Sequence, residues 1–316
     1  MLWLSFAEPH NPYQACEPYF SMFKGKLPPL TTGAKERLLK GERYETLAEM
    51  MAIGHVGYED QLEELRTIYL GMMRMIDDQI KRFIDNLKSQ GLYENTIFIF
   101  ISDHGDYVGE YALMKKGAGL DEIAARVPMQ WSGPGVQASA KPHKAHVSFA
   151  DIFPTVCEIV EAPIPVGVQG RSLWPMLQGK AYPETEFQSV YVEHGYGGQF
   201  YTRKDGTDYL GEGAVTKNKY FFDELNTWTQ SGFTKMVRKG DWKIIFDMEG
   251  NGQLYNLKKD PLELKNLFDK KASSRVKAEL LAELLKWEIA TGDPLPTPRN
   301  RYHFKKYKHN YLFNEQ

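Results

Sequence analysis

Hydrophobic residues follow a helical period between residues 62 and 87. Apolar side chains recur there mostly at steps of three or four, at Leu62, Leu65, Ile68, Met72, Ile76, Ile80, Phe83, Ile84 and Leu87. This spacing gathers them on one face of a long amphipathic helix, which Gly91 would end. We predict that this stripe packs in the protein core, so its methionines have no role as ligands.

A continuous apolar run follows this helix and leads directly into polar residues. Residues 97–101 are five apolar β-formers, and residues 102–106 read Ser-Asp-His-Gly-Asp. Such a run predicts a strand buried on both faces, as in a parallel sheet between helical layers. Because binding crevices in open α/β sheets lie beyond the carboxyl ends of the strands, Asp103 and His104 are candidate metal ligands. The alternative is an Asp-rich turn in which Gly105 adopts a positive φ.

Two further patterns extend the α/β alternation. Residues 127–131 have the composition of a strand closed by a Gly-Pro-Gly turn, and residues 148–161 have a helical apolar pattern. Together with the long helix and the buried strand, they predict a layered α/β/α domain with a mixed sheet, which we place at residues 1–232.

The pattern changes near residue 232. Short strand-like runs separated by Gly-containing turns predict an antiparallel meander, followed by a helix; they cover residues 234–238, 242–247 and 253–256, with the helix at 272–289. We therefore expect a small C-terminal α+β subdomain, with a tail, at residues 233–316.

The chain also begins with the pattern of a buried strand. Residues 2–6 are mostly apolar and run into a Pro-rich turn. A buried strand leaves unpaired backbone groups unless neighbouring strands cover it. We expect those neighbours to come from a preceding segment or from a partner chain.

Composition narrows the function only slightly. The 316 residues carry 39 Lys and Arg against 41 Asp and Glu, a net charge of −2, so no broad basic field points to nucleic acid. The two cysteines form no Cys-x-x-Cys pair, which argues against a disulfide framework or a structural zinc site. No apolar stretch reaches the length of a membrane span, and no signal peptide is evident; the compartment stays open, with the cytoplasm slightly favoured.

An ordered set of short motifs resembles the sulfatase family of the alkaline phosphatase superfamily. The set comprises Pro9-His10-x-Pro12, Met75-Ile-Asp-Asp-Gln79, Ser102-Asp-His-Gly-Asp106, Lys116-Gly117, Arg126-Val-Pro128, Gly133-Pro-Gly135, Gly170-Arg-Ser-Leu173, Val237-Arg-x-Gly-Asp-Trp-Lys-Ile244, Leu254-Tyr-x-Leu257, Asp260-Pro261 and Asn266-Leu267. The order of these motifs along nearly the whole chain is more specific than any one of them.

The resemblance implies a role for four residues. Asp103 and His104 match the pair that binds a divalent cation, usually calcium, although many relatives carry Asn at the position of His104. Imidazole is a softer donor than calcium prefers, so magnesium, manganese or zinc stay open. Lys116 matches a lysine that contacts the sulfate, with Lys115 as its competitor, and His10 matches a histidine near the sulfate and the leaving oxygen.

One family element is not found in the printed sequence. The family's nucleophile is a formylglycine made from a Cys/Ser-x-Pro/Ala-x-Arg motif, and neither Cys16 nor Cys157 begins such a motif. The resemblance therefore implies a C-terminal portion of a hydrolase of sulfuric esters, with a sulfated small molecule or carbohydrate as substrate and no activity on its own. The alternatives are a non-catalytic binding fragment or subunit, and a one-metal phosphonate or phosphodiester hydrolase.

Overall fold

Helices occupy most of the chain from residue 34 to residue 89. In a computed structural model, which describes residues 1–54, 57–117, 119–165, 167–197, 232–292 and 309, they are α1 (Ala34–Arg37), α2 (Glu42–Gly54) and α3 (Tyr58–Ser89). The 32 residues of α3 confirm the predicted long helix. Met72 and Ile76 of its apolar stripe are buried, and Gly91 follows its end with a φ of 67°, as a helix-terminating glycine does.

The apolar run after α3 forms a strand, but one that is not buried on both faces. Strand β1 (Phe98–Ile101) shares a two-stranded sheet with β2 (Met129–Ser132), and the short helix α4 (Glu122–Ala125) lies between them in the sequence. Phe100 is 41% exposed. The prediction of full burial was wrong because, among the described residues, β1 pairs with β2 alone, and so small a sheet leaves part of its surface uncovered.

The predicted strand at residues 2–6 is not observed. These residues have no strand assignment, and Leu2 and Trp3 are 69% and 72% exposed. An apolar pattern favours a strand only where a neighbouring strand can satisfy its backbone N–H and C=O groups. No described segment pairs with these residues.

The next elements along the chain are α5 (Ile152–Ile159) and α6 (Trp174–Leu177). The loop between them carries Arg171, which forms a buried ion pair with Asp151 just before α5, at 3.0 Å between Nη2 and Oδ2. The same carboxylate accepts the Arg171 backbone N–H at 2.7 Å, so one acidic side chain fixes both the start of the helix and the loop that follows it.

A four-stranded sheet and a helix complete the described fold. Its strands are ordered β3 (Ser189–Gly197), β4 (Gly232–Lys239), β5 (Trp242–Asp247) and β6 (Gly252–Asn256), and the helix is α7 (Ser274–Thr291). Strands β4, β5 and β6 pair antiparallel, and Ile244 lies opposite Val237 on one side and Leu254 on the other. These three residues form a buried core with Leu280 and Leu284 of α7. The predicted meander and covering helix are confirmed, and with them an α/β fold.

The chain divides into two compact units that interleave in sequence. The first comprises Met1–Thr96, Ile101–Met129 and His194–Phe233, and the second comprises Ile97–Phe100, Gln130–Glu193 and Thr234–Gln316. The four candidate site residues all belong to the first unit. The boundary predicted at residue 232 stays a prediction. Within the described residues, no helix is long and apolar enough to cross a membrane.

Candidate active site

The end of β1 presents a carboxylate and an imidazole side by side. The His104 backbone N–H donates to Asp103 Oδ1 at 3.0 Å, and His104 Nε2 lies 3.5 Å from Asp103 Oδ2. His104 Nδ1 lies 2.9 Å from the Gly105 carbonyl oxygen, which can only accept, so Nδ1 carries the proton and Nε2 keeps its lone pair. The two groups therefore aim an oxygen and a nitrogen donor at the same region.

Gly105 is required by close packing rather than by its backbone angle. Its φ is not positive, so the alternative of an Asp-rich turn in which Gly105 adopts a positive φ is not observed. A Cβ at this position would lie 1.7 Å from the Ile123 carbonyl oxygen, and the Gly105 N–H donates to the Ala124 carbonyl at 2.9 Å. Both residues belong to the short helix α4, which thus packs directly against the end of the strand.

Lys116 reaches this end of the strand, although it lies twelve residues further along the chain. Its Nζ lies 2.5 Å from His104 Nε2, where an ammonium donates to the lone pair of the imidazole. Lys115, the competing candidate, has a φ of 66° and uses its backbone N–H to bind Asp106. The contact between Lys116 Nζ and His104 therefore favours Lys116 over Lys115 as the lysine of this site.

His10 lies beside the same imidazole. The ring centroids of His10 and His104 are 6.2 Å apart, and the rings are inclined at 69°. His10 Nδ1 lies 2.7 Å from the Asn11 carbonyl oxygen, which assigns the proton to Nδ1 and leaves Nε2 available. His10 is exposed, as a group that meets a substrate must be. All four predicted site residues are thus neighbours in the structure.

The loop that carries Lys116 has an unusual backbone. Four non-glycine residues in it have positive φ, namely Val108 (46°), Tyr111 (57°), Ala112 (52°) and Lys115 (66°). Such conformations cost about 1–3 kcal/mol each and persist only where other contacts enforce them. Two neighbours supply part of that enforcement, since Arg37 Nη1 donates to the Tyr111 carbonyl at 3.3 Å and Tyr58 Oη donates to the Ala112 carbonyl at 3.0 Å.

Sequence reasoning missed two residues that organise this loop. In the sequence, Asp106 is only the last residue of the Ser102–Asp106 motif, and no pattern marks Tyr13. The Tyr13 hydroxyl donates to Asp106 Oδ2 at 2.9 Å, while Oδ1 accepts the backbone N–H groups of Val108 and Lys115, both at 2.9 Å. Burial raises the pKa of the Asp106 carboxyl against the lowering effect of these donors. The only local signal was an Asp two residues before Val108, the spacing of an Asx turn.

Glu110 provides a second anchor for the loop. Its Oε2 accepts from the Thr32 backbone N–H at 2.8 Å and from the Thr32 hydroxyl at 2.5 Å, and Thr31 donates to the same carboxylate. Although burial opposes it, these hydrogen bonds lower the pKa of Glu110. The segment before α1 is thereby fastened to the Lys116 loop.

The histidines outside this group have other surroundings. His194 lies in β3, where burial, assisted by the nearby Arg43, lowers its pKa to about 4. His146 accepts the Gly240 backbone N–H on Nε2 at 3.1 Å. Residues 193–196 lie within β3, which continues through Gly197.

Asp103 and His104 fit a divalent cation as part of its coordination shell. A carboxylate oxygen and an imidazole nitrogen are both common ligands, but among the described residues no three His, Cys, Asp or Glu side chains are grouped as a complete site. Asp103 is 86% exposed at its side chain and can turn toward a cation. His104 can ligate through Nε2 only when Lys116 withdraws its ammonium from that atom.

Comparison with known proteins agrees with the motifs. The Sulfatase family model matches residues 1–162. An arylsulfatase of Clostridium perfringens is 28% identical over 272 residues, which is 85% of this chain and 49% of that protein. The fold resembles a phosphonate monoester hydrolase of Silicibacter pomeroyi, with a TM-score of 0.73, 22% identity and coverage of 90% of this chain and 55% of that one. It also resembles a 2-O GAG sulfatase, with a TM-score of 0.65, 22% identity and coverage of 84% and 54%.

The chain thus spans about half the length of these relatives. Family members generally use a divalent metal, and this chain brings to the end of β1 the carboxylate, the imidazole and the lysine that its motifs predicted. On the match of the family model over half of its length, the chain belongs to the sulfatase family.

Proposed function

We propose that this chain contributes to the hydrolysis of sulfuric esters, with a sulfated carbohydrate as the substrate class. The observation that carries the proposal is the convergence of His10, His104 and Lys116, with Asp103 beside them, at the end of one strand. A relative that acts on glycosaminoglycan sulfate and a structure in complex with D-glucosamine-2-N,6-O-disulfate support the substrate class.

Each residue has a role that its geometry permits. Asp103 and His104 would hold a divalent cation, and that cation, when bound, polarises the oxygens of the sulfate. Lys116 carries a positive charge that can turn from His104 to a sulfate oxygen, where it offsets negative charge that develops during ester cleavage. His10 keeps Nε2 available, and in its imidazolium form, with a second proton on Nε2, it can donate a hydrogen bond to the departing alcohol oxygen or protonate it.

The nucleophile is not among the residues of the printed sequence. The family's formylglycine motif does not occur in it, so we propose that this chain alone does not turn over a sulfate ester. Incubation of residues 1–316 with 4-nitrophenyl sulfate and calcium or manganese should release no 4-nitrophenol above background. Turnover comparable to that of full-length relatives would contradict this part of the proposal.

Binding of inorganic sulfate tests the site itself. Isothermal titration calorimetry of the chain with sodium sulfate should give weaker binding for Lys116→Met than for wild type, by about tenfold, because one charge-assisted hydrogen bond is lost. Lys24→Met is the matched control, since Lys24 is exposed and distant in sequence from every site residue. Equal affinities for the two variants would refute the assignment of Lys116.

A phosphonate monoester is the second candidate substrate. A phosphonate monoester hydrolase of Agrobacterium radiobacter is 25% identical, with a TM-score of 0.70. A sulfate ester and a phosphonate monoester each carry one negative charge at neutral pH, so the Lys116 ammonium attracts both. Competition of matched aryl sulfate and aryl phosphonate esters against bound sulfate would separate the two candidates, and tighter binding of the phosphonate would favour the second.

A further inference from the structure

One carboxylate lies at the junction of the segments that carry the candidate catalytic groups. Asp106 accepts hydrogen bonds on both oxygens, from the Tyr13 hydroxyl on Oδ2 and from the backbone N–H groups of Val108 and Lys115 on Oδ1, each at 2.9 Å. The carboxylate is largely buried, and the proposed reaction assigns it no chemical role.

Oδ1 of Asp106 closes the strained loop at both ends. Val108 is the first residue of the loop with positive φ and Lys115 is the last, and their two N–H groups meet on the same oxygen. The Tyr107 N–H adds a backbone hydrogen bond to the Lys115 carbonyl at 2.9 Å. Because Lys116 is the next residue, this closure fixes where its side chain begins relative to His104.

The Oδ2 atom of Asp106 binds the segment that carries His10. Tyr13 lies three residues after His10, and its ring packs edge-on against Tyr69 of α3, with centroids 6.2 Å apart. Burial, followed by the charge of Asp106, raises the pKa of the Tyr13 hydroxyl, which therefore stays protonated and donates. The segment that carries His10 is thus tied to the same carboxylate as the loop that carries Lys116.

We propose that Asp106 is a positioning residue that, with Tyr13, holds His10 and Lys116 at a fixed separation. It contacts neither sulfate nor ester and acts only through the groups that it binds. The inference rests on the proposed function, because it assumes that His10 and Lys116 meet the same anion. A shared acceptor explains why three donors from two segments converge on one side chain.

The Tyr13→Phe variant tests the link with the smallest change. It removes one hydroxyl and should raise the dissociation constant of inorganic sulfate about fivefold, which corresponds to one hydrogen bond of about 1 kcal/mol. Tyr19→Phe is the matched control, because the Tyr19 hydroxyl donates to Asp78 at 3.0 Å in the same unit but touches no site residue. The control should bind sulfate as wild type does.

The substitution series at Asp106 gives a second measurement. Asn keeps one acceptor oxygen for the backbone N–H groups, whereas Ala leaves all three donors without this acceptor, so sulfate affinity should fall in the order Asp106, Asp106→Asn, Asp106→Ala. The affinities are compared at 10 °C on variants whose circular dichroism spectra match that of wild type. A loss of affinity that disappears at this temperature would make the role purely structural and overturn the proposal.

The ring resonance of His10 separates this inference from the proposed function. In NMR spectra of the chain with ¹³C-labelled histidine, the His10 signal should broaden or split in Tyr13→Phe and in Asp106→Asn, but not in Tyr19→Phe. If Lys116→Met leaves sulfate binding unchanged, the proposed function fails, and this signal still decides whether Asp106 holds His10. A His10 signal and a sulfate affinity that both stay at their wild-type values in Tyr13→Phe would overturn the positioning role.

Discussion

Substitution of Gly105 by Ala should disrupt the candidate site more than the fold. The added Cβ would lie 1.7 Å from the Ile123 carbonyl oxygen, where real Cβ contacts do not fall below 3.0 Å, so the two segments must separate by about 1.3 Å. The obstacle is backbone, which cannot rotate away as a side chain can. We expect the free energy of unfolding to fall by about 1–3 kcal/mol, as in other overpacked positions.

The same displacement reaches the site because Gly105 accepts the hydrogen bond from His104 Nδ1. A shift of about 1 Å at a catalytic group can cost about 100-fold in rate. In the isolated chain we expect sulfate affinity, measured by calorimetry, to fall at least about tenfold, the equivalent of one lost charge-assisted hydrogen bond. Urea unfolding followed by tryptophan fluorescence supplies the stability of the same samples.

Two other glycines separate the loss of stability from the loss of binding. A Cβ at Gly71 would lie 2.1 Å from the Tyr19 carbonyl oxygen, so Gly71→Ala should destabilise the chain comparably while sulfate affinity is retained. A Cβ at Gly33 would meet nothing closer than 3.7 Å, so Gly33→Ala should leave sulfate affinity unchanged and lower stability only by the cost of Ala at the N-cap of α1, about 0.5–1 kcal/mol. The reasoning is refuted if Gly105→Ala binds sulfate like Gly71→Ala, or if its unfolding curve coincides with that of Gly33→Ala.

Three further predictions concern buried charges and titration. The fully buried Lys243 ammonium lies 2.9 Å from the Glu263 carboxylate. Glu263→Gln removes this counter-charge and should lower the free energy of unfolding, measured with urea, by about 3–5 kcal/mol. The double variant Lys243→Met and Glu263→Leu should recover most of that stability. Hydrogen bonds lower the pKa of Glu110, so this carboxylate stabilises the fold fully above the pKa of an unfolded glutamate, and the stabilisation is lost as pH falls through the folded pKa. Glu110→Gln should therefore make the free energy of unfolding fall less steeply with decreasing pH. An unchanged slope would exclude Glu110 as a cause of the acid sensitivity. The His194 ring should titrate near pH 4 in NMR spectra of the folded chain. Since an unfolded histidine has a pKa of about 6.5, the unfolded chain binds this proton at a higher pH than the folded chain, and stability should rise with pH between about 4 and 6.5. A midpoint near 6.5 would contradict the buried position.

Elements with a strong local period could be predicted from the sequence. Helix α3 extends a few residues beyond each end of its predicted stripe, and β4 to β6 match the three runs of the meander, because period and turn residues act within a few positions of the chain. The strand predicted at residues 2–6 failed because strand formation also needs a partner, which no local pattern supplies.

The candidate site was likewise predictable from the sequence only in part. The motif around Asp103 and His104 predicted which residues lie beside each other, and their catalytic roles stay a prediction. The sequence could not choose between Lys115 and Lys116, because the contact of Lys116 Nζ with His104 depends on the path of the intervening loop. The bond between Tyr13 and Asp106 spans 93 residues of sequence and follows only from tertiary packing. No spacing rule connects two residues so far apart.

The contact between Lys116 and His104 implies a thermodynamic linkage between two kinds of ligand. The same ammonium that covers His104 Nε2 in the structure is the one proposed to meet sulfate. An anion that draws Lys116 away exposes the nitrogen to a cation, and a cation on that nitrogen releases Lys116 to the anion. Each ligand would then raise the affinity of the other by the same factor, as reciprocity of coupling requires, and the site would respond to metal and ester together more steeply than to either alone.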